Sequence, residues 1–109
     1  MIPHKLLLGG ALAAMIATPA VAADKLLIGS TAAASSHYGY FVAVGKLIND
    51  SVEGVEASVV ETGATLDNLR RLQRDQVDLG LVTTNVAQHA FAGKGEFEGK
   101  AVDLRLLWV

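Results

Sequence analysis

The sequence predicts an α/β fold in which parallel βαβ units form a sheet with helices on both faces. Two observations carry this expectation. Short apolar or alternating runs recur through residues 24–109, and each of the first three is followed by a segment with apolar residues at helical spacing. In addition, Ser, Thr, Gly and Asn punctuate each junction from strand to helix.

The elements follow in order. Residues 25–29 are a short apolar strand, and the small side chains of 30–36 let backbone N–H groups approach a guest closely. A helix is expected from about residue 38 to 51, with Phe41, Val44, Ile48 and Val52 on its buried face and Leu47 beside them. In 55–61, Val55, Ala57 and Val59 alternate with Glu56 and Ser58, which predicts a second strand. Thr65 is a natural N-cap for the next helix, whose stripe is Leu66, Leu69 and Leu72, up to about Asp75. Residues 78–82 are the third strand. A short third helix then presents Val86, Ala87, Ala90 and Phe91, followed by a glycine-punctuated loop over 93–99 and a fourth strand over 104–109.

Residues 1–23 have the form of an export leader. His4 and Lys5 make a short polar start, 6–16 is apolar, and Ala20, Val21 and Ala22 are small, so cleavage is expected after Ala22 or Ala23. The apolar stretch is shorter than the roughly 20 residues of a membrane span and contains Gly9 and Gly10, so no membrane insertion is expected of the product. Without cysteine there is neither a disulfide framework nor a lipid-modified cysteine, and a periplasmic location is expected. Residues 24–109 suffice for one small domain but not for two lobes. Because 104–109 stops without turn, cap or polar tail, the sequence is expected to be a piece of a longer protein.

The whole sequence carries nine basic and eleven acidic residues; loss of residues 1–23 takes away Lys5 and no acid, leaving eight against eleven. That balance argues against nucleic acid, and Arg70, Arg71 and Arg74 stand at helical spacing among Asp67 and Asp75, as on a solvated helix face. No enzyme is expected. Ser35, Ser36 and His37 are sequence neighbours rather than a triad, no G-x-S-x-G elbow, Walker loop or G-x-G-x-x-G occurs, and Glu96 and Glu98 flank Phe97 in a simple turn. A lone His37 without a paired His or Cys gives no metal site, and no cofactor is expected.

In a parallel sheet all strand-to-helix loops lie at the carboxyl ends of the strands, where ligands bind. Each helix start there leaves N–H groups unpaired and partly positive, which favours a carboxylate or phosphate. Three such loops would converge on one cleft. Tyr38 and Tyr40 fit either half-buried packing or a ligand platform, Asn68 either braces the second loop or faces solvent, and Asn85 is equally a cap.

The succession of the IGST loop, HYGYFVAVGKLIND, VETGATLDNLRRL, DLGLVTTNVAQHAFAG and LRLLW resembles the TAXI family of TRAP-transporter solute-binding proteins over essentially all of 24–109. The most specific piece runs from Glu61 through Thr62, Gly63, Ala64, Thr65, Leu66, Asp67 and Asn68 to Leu69, similar to that family's T-G-[GA]-[ST]-x-x-N-L segment. The resemblance implies the first lobe of a type II periplasmic binding protein, closing with a second lobe on a small solute, and the three converging loops point to a small carboxylate such as an amino acid or dicarboxylate. It implies delivery to a TRAP-type membrane permease driven by an ion gradient. By position it places Ser30, Thr31, Ser35, Ser36, His37 and Tyr38, then Thr62, Gly63, Ala64 and Thr65, and finally Thr83, Thr84 and Asn85 on the cleft. Two departures stand out: Ser35-Ser36-His37-Tyr38 replaces a common G-G-T-Y-Y, and Asn85 and Gln88 stand where an acid and an aromatic are usual. An ABC-type receptor, or an extracytoplasmic sensing or interaction domain, would use the same module with a different partner.

Overall fold

The computed structural model describes residues 16–109, so most of the expected export leader lies outside the described residues. Strand β1 (Asp24–Gly29), helix α1 (Ser36–Ser51), β2 (Val55–Val60), α2 (Thr65–Gln73), β3 (Leu79–Gly80) and α3 (Thr84–Ala92) alternate along the chain, followed by a 3₁₀ turn at Gly95–Phe97. The sheet is parallel and ordered β2-β1-β3. The chain steps from β1 to one side and then crosses back over to the other. With right-handed crossovers this puts α1 and α2 on opposite faces, as the βαβ pattern predicts.

Two apolar clusters mark the two faces. Ile28, Phe41 and Ala57 are buried together, with Leu26, Ile48, Val59, Leu79 and Leu81 packed around them under α1. On the other side Leu69, Ala90, Phe97 and Val102 are buried, with Leu66, Val82, Val86 and Leu104 against them. Period-two alternation assigns the faces: Ile28 looks toward α1, whereas a Cβ built on Gly29 would meet Asn68 of α2.

Local chemistry sets the helix ends. Ser35 is extended (φ −81°, ψ 143°) and its Oγ accepts from the His37 N–H at 3.1 Å, an N-cap that starts α1 two residues earlier than periodicity suggests. Helix α3 stops at Gly93 in the left-handed region (φ 64°, ψ 40°), and the Lys94 N–H reaches back to the His89 carbonyl at 2.8 Å. The turn folds residues 97–102 onto α3, where the Val102 N–H donates to the Ala90 carbonyl at 2.9 Å.

Four expectations are corrected. Residues 104–109 form no strand; Arg105 pairs locally with Asp103, Trp108 lies 6.4 Å (ring centroids) from Phe41, and among the described residues no ladder partner holds the run extended. The third strand is two residues long rather than spanning 78–82. Its ladder is lengthened by other bonds: the Asp78 carboxylate accepts the Leu27 N–H at 2.8 Å, and the Leu81 N–H reaches the Gly29 carbonyl at 3.0 Å. Leu47 and Phe91 are 65% and 59% exposed rather than buried, because Gly45 and Ala90 bring the helix backbones close at the faces that do pack, and Val52, at the C-cap of α1, is 46% exposed. Thr65 is the first helical residue of α2 rather than its cap; the cap position is Ala64, without a side-chain bond.

Candidate functional site

The loops after β1, β2 and β3 are tied together by their own backbone and polar side chains. The Thr62 N–H donates to the Thr31 carbonyl at 3.3 Å, and the Thr62 hydroxyl donates to the Ser30 carbonyl at 2.8 Å while accepting from the Ala64 N–H at 3.3 Å. Thr65 Oγ1 accepts the Thr83 N–H at 3.1 Å, which joins the second loop to the third. Asn68 Nδ2 donates to both the Ser30 and Leu81 carbonyls, at 2.8 and 2.7 Å, and so clamps the ends of the two strands that flank it. The three loops therefore do gather at one end of the sheet.

Each expected site residue can now be placed. Asn68 is fully buried and forms the floor, which resolves its two readings in favour of bracing. Ser30 is also fully buried, with its Oγ unpartnered, while Thr31 is half-buried. Thr62 and Thr65 have their hydroxyls committed to other loops, and the Gly63 N–H is taken by Asp67 Oδ2 at 2.9 Å. Ser35 is occupied as the N-cap. Ser36, His37, Thr83, Thr84 and Asn85 are exposed at the starts of α1 and α3, so this face is open to solvent. Thr83, not Asn85, holds the cap position of α3. Tyr38 is half-buried in a lateral groove beside β2 together with Val42 and Asn49, whereas Tyr40 is 53% exposed with its ring edge-on to Phe41 at 5.2 Å.

Glu61 was not among the expected site residues. Its Oε1 accepts the Ala33 N–H at 3.0 Å, so a carboxylate already sits on the first loop. The signal for it was the acid directly before Thr62, at the point where the alternation of β2 ends. Asp67 likewise does more than line a solvated helix face. The Gly63 N–H holds its carboxyl below the usual aspartate range; partial burial works the other way, and Arg71, 3.0 Å away, adds to the lowering. The Asp67 clasp is thus complete at neutral pH and lost as pH falls through the lowered pKa.

Ala64 lies in an unusual conformation (φ 66°, ψ −146°), a region that glycine occupies and a side chain strains by about 1–3 kcal/mol. The surrounding bonds from Thr62, and from the Asn68 N–H to the Ala64 carbonyl at 2.8 Å, hold it there. Ala64→Gly is expected to raise stability by about 1 kcal/mol after allowance for glycine's greater freedom in the unfolded chain. The check is thermal unfolding: a gain of roughly 4–8 °C in Tm is expected, and a lower Tm would show that the turn is not strained.

A parallel sheet with helices on both faces, its loops locked together at the carboxyl ends of the strands, is consistent with a lobe of the periplasmic-binding-protein class. The model of the NMT1-like family matches residues 28–109, and the chain belongs to that family, whose members are periplasmic binding protein-like. A solute-binding role of this type follows from the membership. A search of curated proteins returns no match.

Proposed function

We propose that the chain is an extracytoplasmic solute-binding subunit of a TRAP transporter of the TAXI type, located in the periplasm, which takes up a small carboxylate and passes it to an ion-gradient-driven permease. It binds and releases its solute unchanged, without enzymatic turnover, metal or cofactor. The T-G-A-T-x-x-N-L segment supports the TAXI assignment, and the exposed start of α3, with the Ser36 N–H at the start of α1, supplies N–H groups for a carboxylate.

The observation that favours one solute class is Glu61. No Lys or Arg stands in loops 30–35, 61–64 or 81–83, while the Glu61 carboxylate lies across the first loop on the Ala33 N–H. A dicarboxylate would meet a like charge with no cationic side chain in those loops to offset it. An α-amino acid places its carboxylate at the helix starts and its ammonium against Glu61, so the reading narrows to that class. Helix starts contribute about 0.3–1 kcal/mol each and hydrogen bonds to charged groups about 1.5–3 kcal/mol. Such sums correspond to millimolar affinity for one open lobe.

Titration of the purified chain with α-amino acids and dicarboxylates, read by NMR chemical shifts, tests this. Glu61→Gln keeps an acceptor for the Ala33 N–H and removes only the charge. Amino-acid affinity is expected to drop by about tenfold, worth about 1.4 kcal/mol. Tighter dicarboxylate binding in the variant with no loss for any amino acid would overturn the amino-acid reading.

A further inference from the structure

The outer edge of β2 carries a feature that solute binding does not use. The Ser30 N–H donates to the Val60 carbonyl at 3.2 Å, so by strand alternation residues 56, 58 and 60 point their polar backbone toward β1, and 55, 57 and 59 point theirs outward. Among the described residues no strand covers this edge, and such a row of outward N–H and C=O groups is a template for another strand. At its centre, however, Asn49 of α1 reaches down. Its Nδ2 donates to the Ala57 carbonyl at 3.0 Å and its Oδ1 accepts the Ala57 N–H at 2.6 Å. One side-chain amide thus reproduces the two bonds that a neighbouring strand would make to Ala57.

We infer that Asn49 is an edge guard that keeps β2 of one molecule from pairing with β2 of a second copy of this chain. The second copy is the fitting occupant because the edge is complementary to itself. An antiparallel pair on a two-fold axis through Ala57 sets Val55 against Val59 of the second copy, a β-branched match. The same axis sets Glu56 against Ser58, so no like charges meet. The strand VEASVV contains neither Pro nor Lys to blunt the edge. The nearest charges on α1, Lys46 and Asp50, are paired with each other and add no net repulsion. Asn49 is therefore the group that denies the central bonds to an incoming strand.

Sedimentation of the purified chain and its variants tests the inference. The unaltered chain is expected to be monomeric, and Asn49→Ala to self-associate about tenfold or more tightly, since two backbone groups then lack their partner. Adding Ser58→Glu, at an exposed position, places a carboxylate against Glu56 of the second copy and is expected to restore the monomer. A monomeric Asn49→Ala variant with native circular dichroism overturns the proposal. So does association that Ser58→Glu leaves unchanged, since another surface would then be responsible. Hydrogen exchange on the unaltered chain guards against a variant that does not fold: the Ala57 amide is expected to exchange at least tenfold more slowly than those of Val55 and Val59. Equal rates at the three amides would also overturn it.

Discussion

Asn68→Ala is expected to lower unfolding free energy by about 2–4 kcal/mol, from the loss of buried hydrogen bonds together with the vacated space. Asn68 is fully buried, and its single amide nitrogen serves the Ser30 and Leu81 carbonyls at the ends of two adjacent parallel segments. Without it Ser30 retains the Thr62 hydroxyl, but the Leu81 carbonyl loses its side-chain donor. The ends of β1 and the third loop then lose their common clamp, so binding of the proposed solute is expected to weaken along with stability. Asn68→Asp should be at least as damaging, because a carboxylate has no donor and would face two carbonyl oxygens. Urea unfolding monitored by circular dichroism provides the measurement. A change below about 0.5 kcal/mol, the range of ordinary surface substitutions, would mean that water serves the two carbonyls instead.

Gly29→Ala should cost about 1–3 kcal/mol through overpacking. A Cβ on Gly29 would come to 2.6 Å from Asn68 Oδ1 and 3.2 Å from its Cγ, and Asn68 is held by two hydrogen bonds and cannot swing away without breaking them. Gly80, paired with Gly29 across the sheet, leaves the same kind of room on the neighbouring strand, where a Cβ would lie 3.2 Å from Asn68 Cβ. The two glycines are thus the recess into which the Asn68 side chain settles. A double-mutant cycle distinguishes this from a general loss of packing. The cost of Gly29→Ala should shrink when Asn68 is already alanine, and strict additivity would place the strain elsewhere.

Much of this architecture could be read along the chain. The helical spacing of Phe41, Val44 and Ile48 and the alternation in Val55, Ala57 and Val59 gave the right element types, and boundaries moved by only a few residues for β1, α1, β2 and α3. Residues 104–109 failed for a reason a pattern cannot contain: an apolar run becomes a strand only when another strand's backbone meets it. The shortness of β3 has a related cause, since Asp78 gives its carboxylate to the Leu27 N–H where a longer strand would have used a carbonyl. In the candidate site, the small polar residues marked the three loops that the structure ties together. Their spacing did not show that the Thr62 and Thr65 hydroxyls hold loops together while Ser36 and Thr84 stay exposed, nor that Glu61 lies on the first loop.

The sequence by itself determined the α/β class, the order of alternating elements, and the three junctions where small polar residues meet helix starts, because these depend on side-chain period and on capping chemistry within a few residues of chain. The tertiary structure alone decided that Asn68 faces inward between two glycines, that Asn49 covers the edge of β2, and that Tyr38 lies beside β2. Those outcomes rest on hydrogen bonds between residues as many as 38 positions apart and on close approaches as distant in the chain as that of Asn68 to Gly29, and no local pattern encodes which distant backbone a polar side chain will meet.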